Sequence, residues 1–95
     1  MTPETTRQPG IAGATRLCPL FKVILHNDDV TTADFVVRVL CGVFHKEFGI
    51  SVDLMREAHE GGCALVEVVP RELGEFHIEQ AISLARTWRF PLAFT

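Results

Sequence analysis

The residues best suited to chemistry in this chain are Asn27-Asp28-Asp29 and, more than thirty positions later, His59. Two adjacent carboxylates beside an amide oxygen make an acceptor-rich patch. Such a patch attracts a cation, either a metal ion or an ammonium group. It also has a plainer use, because Asn and Asp are the ordinary residues of turns and caps. His59 stands just before Gly61-Gly62. It could occupy a helix C-terminus, where the dipole favours it, or reach the acidic patch as a ligand or hydrogen-bonding partner. Asp28, Asp29 and His59 together could coordinate a metal, as a small metal-dependent enzyme would require. The remaining histidines, His26, His45 and His77, add no metal-site spacing, and no H-E-x-x-H pattern occurs.

Other chemistries find less support. The two serines, Ser51 and Ser83, both fall at helical positions, and no G-x-S-x-G elbow exists. Cys41 and Cys63 have no evident activating partner, and Gly61-Gly62 is too short for a phosphate loop. The three cysteines, Cys18 included, form no C-x-x-C pair, which favours reduced thiols in a cytosolic protein. A net charge of −3 with no run of like charge argues against nucleic acid and anionic membrane as partners. No apolar stretch approaches the ~18 residues of a membrane span, and the N-terminus lacks the apolar core of a signal peptide.

These residues must be held by a small scaffold. Ninety-five residues, 47 % of them apolar, suit one globular domain. Residues 1–16 hold two Pro, two Gly, four Thr and one large aliphatic residue, Ile11, so they are expected to form a flexible extension to a domain at 17–95. Phe21–His26 is apolar and β-branched and reads as a strand running into the Asn-Asp-Asp turn. Thr31 or Thr32 should cap a helix with Asp34 in its first turn. Phe35, Val36, Val39, Leu40 and Val43 give that helix its apolar face, and Gly49 should stop it near His45–Phe48. Ser51 should cap a shorter helix ended by Gly61-Gly62. Cys63–Val69 reads as a strand closed by Pro70, Arg71–Trp88 as a third amphipathic helix, and Phe90–Phe94 as a last strand. The order β-α-α-β-α-β predicts an α+β domain: a three-stranded sheet with three helices on one face.

Several stretches resemble one known family. Phe21-Lys22-Val23-Ile24-Leu25-His26-Asn27-Asp28-Asp29-Val30-Thr31 is similar to the Y-K-V-x-L-x-N-D-D-Y-T of ClpS adaptors. Asp34-Phe35-Val36 with Val39-Leu40 resembles that family's E-F-V-x-x-V-L. Leu54-Met55, Ala58-His59 and Gly61 resemble L-M-x-x-V-H-x-x-G, and Ala85-Arg86 with Pro91-Leu92 resembles A-R-x-x-x-x-P-L. The motifs keep one order from Phe21 to Thr95.

The resemblance implies an adaptor, not an enzyme, with no cofactor and no metal. Such adaptors bind proteins whose first residue is large and apolar, known as N-degrons. They hand them to a Clp AAA+ unfoldase (of ClpA or ClpC type) and its peptidase in the cytoplasm, or in the plastid stroma of a plant. By carry-over, Asn27, Asp29 and His59 would hold the substrate's α-amino group, with Asp28 adding charge. Thr31, Ala33, Val36, Met55, Ala58 and Leu92 would line the side-chain pocket. Glu72 and His77 would lie on the face that docks the unfoldase, and the N-terminal extension would serve delivery. The sequence departs from the family pattern at Val30, Thr32, Ala33, Ala58 and His77, where an aromatic residue, Pro, Met, Val and Lys are usual. Another interaction module on a similar scaffold, such as the C-terminal domain of the ribosomal stalk protein, would make Asn27-Asp28-Asp29 a simple turn.

Overall fold

The computed structural model describes residues 19–95; the expected extension at 1–16 lies outside them. Six elements follow in the order β1 (Leu20–His26), α1 (Ala33–Gly42), α2 (Phe48–Gly61), β2 (Cys63–Pro70), α3 (Arg71–Thr87) and β3 (Ala93–Phe94). The sheet runs β2-β1-β3, and both pairings are antiparallel. The fold is the expected α+β one, with all three helices on one face.

Alternation along the strands decides that face. Val23 and Leu25 of β1 and Ala64 and Val66 of β2 are buried against the helices, while Leu65 and Val68 remain exposed. A bulge interrupts the pairing between Val23 and Ile24: Val23 stands opposite Glu67, but Ile24 stands opposite Leu65. The extra residue, Val66, therefore lets two successive side chains of β2 turn toward the helices. Glu67 is thereby brought to His77 of α3, whose Nδ1 lies 2.8 Å from the Glu67 Oε2. His77 also packs edge-on against Phe44, with centroids 5.4 Å apart. The His77 side chain is largely closed in by Glu67 and Phe44, whereas Glu72, the other residue expected on the docking face, is exposed in the first turn of α3.

Two helix boundaries differ from the sequence reading. The first helix ends at Gly42, earlier than Gly49 suggested. Val43 and Phe44 continue its apolar pattern but do so from a loop. Their amides still donate to the Val39 carbonyl, and His45 then leaves in the left-handed region at φ 59°. The second helix starts at Phe48, three residues before the expected cap. Ser51 is instead fully buried inside it, and the Cys41 thiol donates to its hydroxyl at 3.3 Å. The final strand is also shorter than expected. Phe90 packs edge-on against Phe35, and Leu92 is buried, before pairing begins at Ala93.

Other local signals act as expected. The Thr32 hydroxyl accepts from the Phe35 amide at 3.2 Å and caps α1. Gly62 ends α2 at φ +96°, a conformation that suits glycine, and this turns the chain back so that Cys63 pairs with His26. Gly74 lets α3 approach the sheet. A Cβ there would lie 3.2 Å from the Val23 Cγ2 and 3.3 Å from the Val69 Cγ2.

Candidate functional site

Where β1 ends, the chain enters a loop that is organised by one carboxylate. Asp28 Oδ1 accepts from the Val30 amide at 2.8 Å and from the Thr31 amide at 2.6 Å. Its Oδ2 accepts from the Thr31 hydroxyl at 2.8 Å. Partial loss of solvent pushes this carboxyl up. The Thr31 and Val30 donors outweigh that and hold it below the ordinary value of 3.8. Asp28 is therefore ionised at neutral pH, and its oxygens are already engaged. Asp29 is exposed beside it and makes no hydrogen bond within the described residues. The two neighbouring carboxylates thus differ: the oxygens of Asp28 organise the loop, while those of Asp29 are unengaged among the described residues.

One backbone bond explains why His59 reaches this loop. The Asn27 amide donates to the Gly62 carbonyl at 3.0 Å, and the Gly62 amide donates to the Ala58 carbonyl at 2.8 Å. The C-terminal turn of α2 is thereby tied to the end of β1, and His59, exposed in that turn, faces the same hollow. On the opposite wall, Ala33 and Val36 project from α1 in the turn that Thr32 caps. Met55 and Ala58 come from α2, and Leu92 comes from the segment before β3.

The result is a single cavity of about 230 Å³. All ten residues expected for the amine and side-chain sites line it: Asn27, Asp28, Asp29 and His59 at the polar part, and Thr31, Ala33, Val36, Met55, Ala58 and Leu92 around them. Leu25 and His26 line it too, and sequence reasoning missed both. The only signal was their position at the end of the strand that enters the Asn-Asp-Asp loop. His26 is held by Thr95, with its Nε2 2.7 Å from the Thr95 Oγ1. Glu72 and His77 take no part in the cavity.

The cavity is smaller than the ~300–1,000 Å³ typical of pockets for drug-sized ligands. It has the size for one side chain and one polar head. Its acceptors are Asn27, Asp29 and a ring nitrogen of His59. Its walls carry a thioether and aliphatic groups. Among the described residues, no group of three or more His, Cys, Asp or Glu side chains is arranged to hold a metal ion. No helix in the described residues is long and apolar enough to cross a membrane.

Comparison with known proteins gives the same picture at the level of the whole domain. The family model described as ATP-dependent Clp protease adaptor protein ClpS matches residues 17–95. The chain is 41 % identical over 73 residues to the Clp protease adapter ClpS of Nautilia profundicola, covering 77 % of this chain and 75 % of that one. It is 42 % identical over 73 residues to the ClpS of Desulfatibacillum aliphaticivorans, covering 77 % and 70 %. Among solved structures it is similar to Agrobacterium tumefaciens ClpS2 bound to L-phenylalaninamide. The TM-score there is 0.77 and the identity 39 %, with 80 % of this chain and 92 % of that chain covered.

Proposed function

The chain belongs to the ClpS adaptor family, and we propose that it captures proteins by a free α-amino group together with a large apolar first side chain. It then delivers them to a Clp AAA+ unfoldase and its peptidase. The observation that carries this reading is the union, in one cavity, of free acceptors (Asn27, Asp29, His59) with an apolar wall (Val36, Met55, Ala58, Leu92). An α-ammonium offers three donors and a positive charge. A ligand that places such a head next to an apolar side chain matches both halves, and an amino-acid amide has that form. The ligand seen with Agrobacterium tumefaciens ClpS2 is L-phenylalaninamide.

The magnitudes suit reversible capture. Each hydrogen bond to a charged group contributes about 1.5–3 kcal/mol, and the α-ammonium can make three of them. Burying one leucine- or phenylalanine-sized side chain contributes about 1.5–3 kcal/mol. Set against the cost of ordering a peptide end, these give dissociation constants on the order of micromolar. That range lets a substrate be passed on. Delivery breaks no bond in the adaptor's hands, so it calls for neither nucleophile nor cofactor, and it places the protein in the cytoplasm (or the plastid stroma in a plant). The metal-dependent alternative loses ground because Asp28 already has its oxygens on Thr31 and Val30.

The deciding experiment is a titration of peptides that differ only in their first residue, with free and acetylated ends. Free peptides beginning with Leu or Phe should bind, while their acetylated forms should not, because acetylation removes the charge and two of the three donors. Equal binding of free and acetylated peptides would refute the reading.

A further inference from the structure

A second groove, of about 740 Å³, lies between α1 and α3 and shares no lining residue with the first cavity. Its floor is apolar and belongs to the core: Phe35, Val39 and Val43. Its α3 wall carries three large side chains left in water, Phe76 at 55 %, Leu84 at 47 % and Trp88 at 62 % exposure. Singly, exposed apolar residues are normal. A row of them at helical spacing beside an apolar groove marks an interaction surface.

Charge says what covers it. Arg38 stands on the α1 wall and Glu79 on the α3 wall. Arg38 shares a neighbouring hollow with Trp88 and Phe35, so it sits toward the Trp88 end, whereas Glu79 follows Phe76 by one turn at the other end. Among the described residues neither has an ion-pair partner. Asp34, one turn before Arg38, lines the same neighbouring hollow but makes no ion pair with it among the described residues. An unpaired cation and an unpaired anion, on opposite walls and toward opposite ends of one apolar groove, make a self-complementary surface. A two-fold axis through the middle of the groove sets each Arg38 against the partner's Glu79 and lays the two apolar rows together.

We propose that this groove is the contact surface of a two-fold homodimer. Three side chains and two charges per copy bury less than the ~800 Å² per partner of a standard interface. The dimer is therefore weak, with a dissociation constant on the order of 100 μM. Because the groove and the first cavity share no residues, both copies keep their cavities open, and a dimer holds two ligands at once.

The test uses the full chain in sedimentation equilibrium from about 10 μM to about 1 mM, a span that brackets the expected constant. Trp88 is the only tryptophan, so its emission reports on the groove directly. The mass should rise toward twice the monomer as the Trp88 emission moves to the blue. Arg38→Glu should weaken association at least about tenfold by facing the partner's Glu79 with a like charge. Arg38→Glu combined with Glu79→Arg should restore it, and this rescue separates a specific pair from a misfolded variant. A monomer at every concentration overturns the proposal, as does a dimer indifferent to both variants. So does a monomer whose Trp88 emission shifts only when substrate peptide or unfoldase is added, a result that would assign the groove to that partner.

Discussion

Replacing the two adjacent aspartates one at a time should separate binding from folding. Asp29 is exposed and free, so Asp29→Asn keeps the shape and one acceptor while removing the charge that faces the ammonium. The loss should match one charge-assisted bond, about 1.5–3 kcal/mol, or about 10- to 150-fold in dissociation constant. Because Asp29 is exposed, added salt should shrink that difference. Asp28→Ala acts elsewhere. It strips acceptors from the Val30 amide, the Thr31 amide and the Thr31 hydroxyl. Val30 is exposed and rehydrates easily, so the cost should be like that of a lost cap, about 1–2 kcal/mol. In a domain of this size that lowers Tm by about 4–16 °C. The pH dependence has a definite sign. Asp28 is held below its ordinary value of 3.8, so its stabilisation is complete above that value and is lost as pH falls through the lower folded value. The gap in Tm between parent and Asp28→Ala should stay constant from neutral pH down to about pH 5 and close only in stronger acid. Fluorescence polarisation with a leucine-initiated peptide and thermal melts measure both arms. An Asp29→Asn variant that binds like the parent, or an Asp28→Ala variant that melts like it, would refute the division of labour.

Three further outcomes are expected. His77→Ala leaves the Glu67 carboxylate, 9 % exposed, without its partner, and should cost about 1–3 kcal/mol in urea unfolding; an unchanged midpoint would mean the pair contributes nothing. Deleting residues 1–16, which lie outside the described structure, should leave peptide affinity nearly intact while impairing unfoldase-driven degradation; a large loss of affinity would assign the segment to the cavity. Ala33→Met should penalise peptides beginning with Ile and Val more than those beginning with Leu or Phe. An equal change across all four would show that position 33 does not gate the cavity.

The order of the elements was legible because local signals and burial agree. Thr32 caps, Gly62 stops, and Val23 and Leu25 alternate with less buried neighbours. The misreadings share one cause, which is that periodicity records burial and not backbone conformation. Val43 and Phe44 are buried from a loop, so their spacing mimics another turn of helix. Ser51 looks like a cap by residue type, but the helix begins at Phe48 after Glu47, which supplies no side-chain cap to read. The burial of His77 depends on a bulge in another element, and no pattern within α3 announces it. The site divides in the same way. Residue types alone left Asn27-Asp28-Asp29 as a turn or a cation patch. Its meeting with His59 depends on the Asn27–Gly62 bond between distant segments; residue types offered that meeting as one alternative beside a helix-end role for His59, and the resemblance to a family pointed to it.

The walls of the cavity also differ in what their substitution can do. Ala58 and Leu92 are 3 % and 5 % exposed and belong to the hydrophobic core as well as to the cavity. Changing their size alters both the cavity and the packing of α2 on β2. Enlarging Ala58 also meets the steric cost of overpacking, about 1–3 kcal/mol where neighbours cannot move. Ala33, by contrast, is exposed in the first turn of α1, and Met55 is half-buried on the facing helix. Side chains there can change with little effect on the core. Selectivity at the mouth is therefore separable from stability, whereas selectivity at depth is tied to it. Ala58 lines the inner side of the cavity, where a ligand's side chain would supply dispersion contacts that the apolar wall otherwise lacks. Ligands with larger first side chains should accordingly stabilise the fold more than their contact with the exposed mouth alone would give. A rise in Tm on adding amino-acid amides should increase from valinamide to leucinamide to phenylalaninamide. A flat series would mean that the wall at Ala58 has closed on itself.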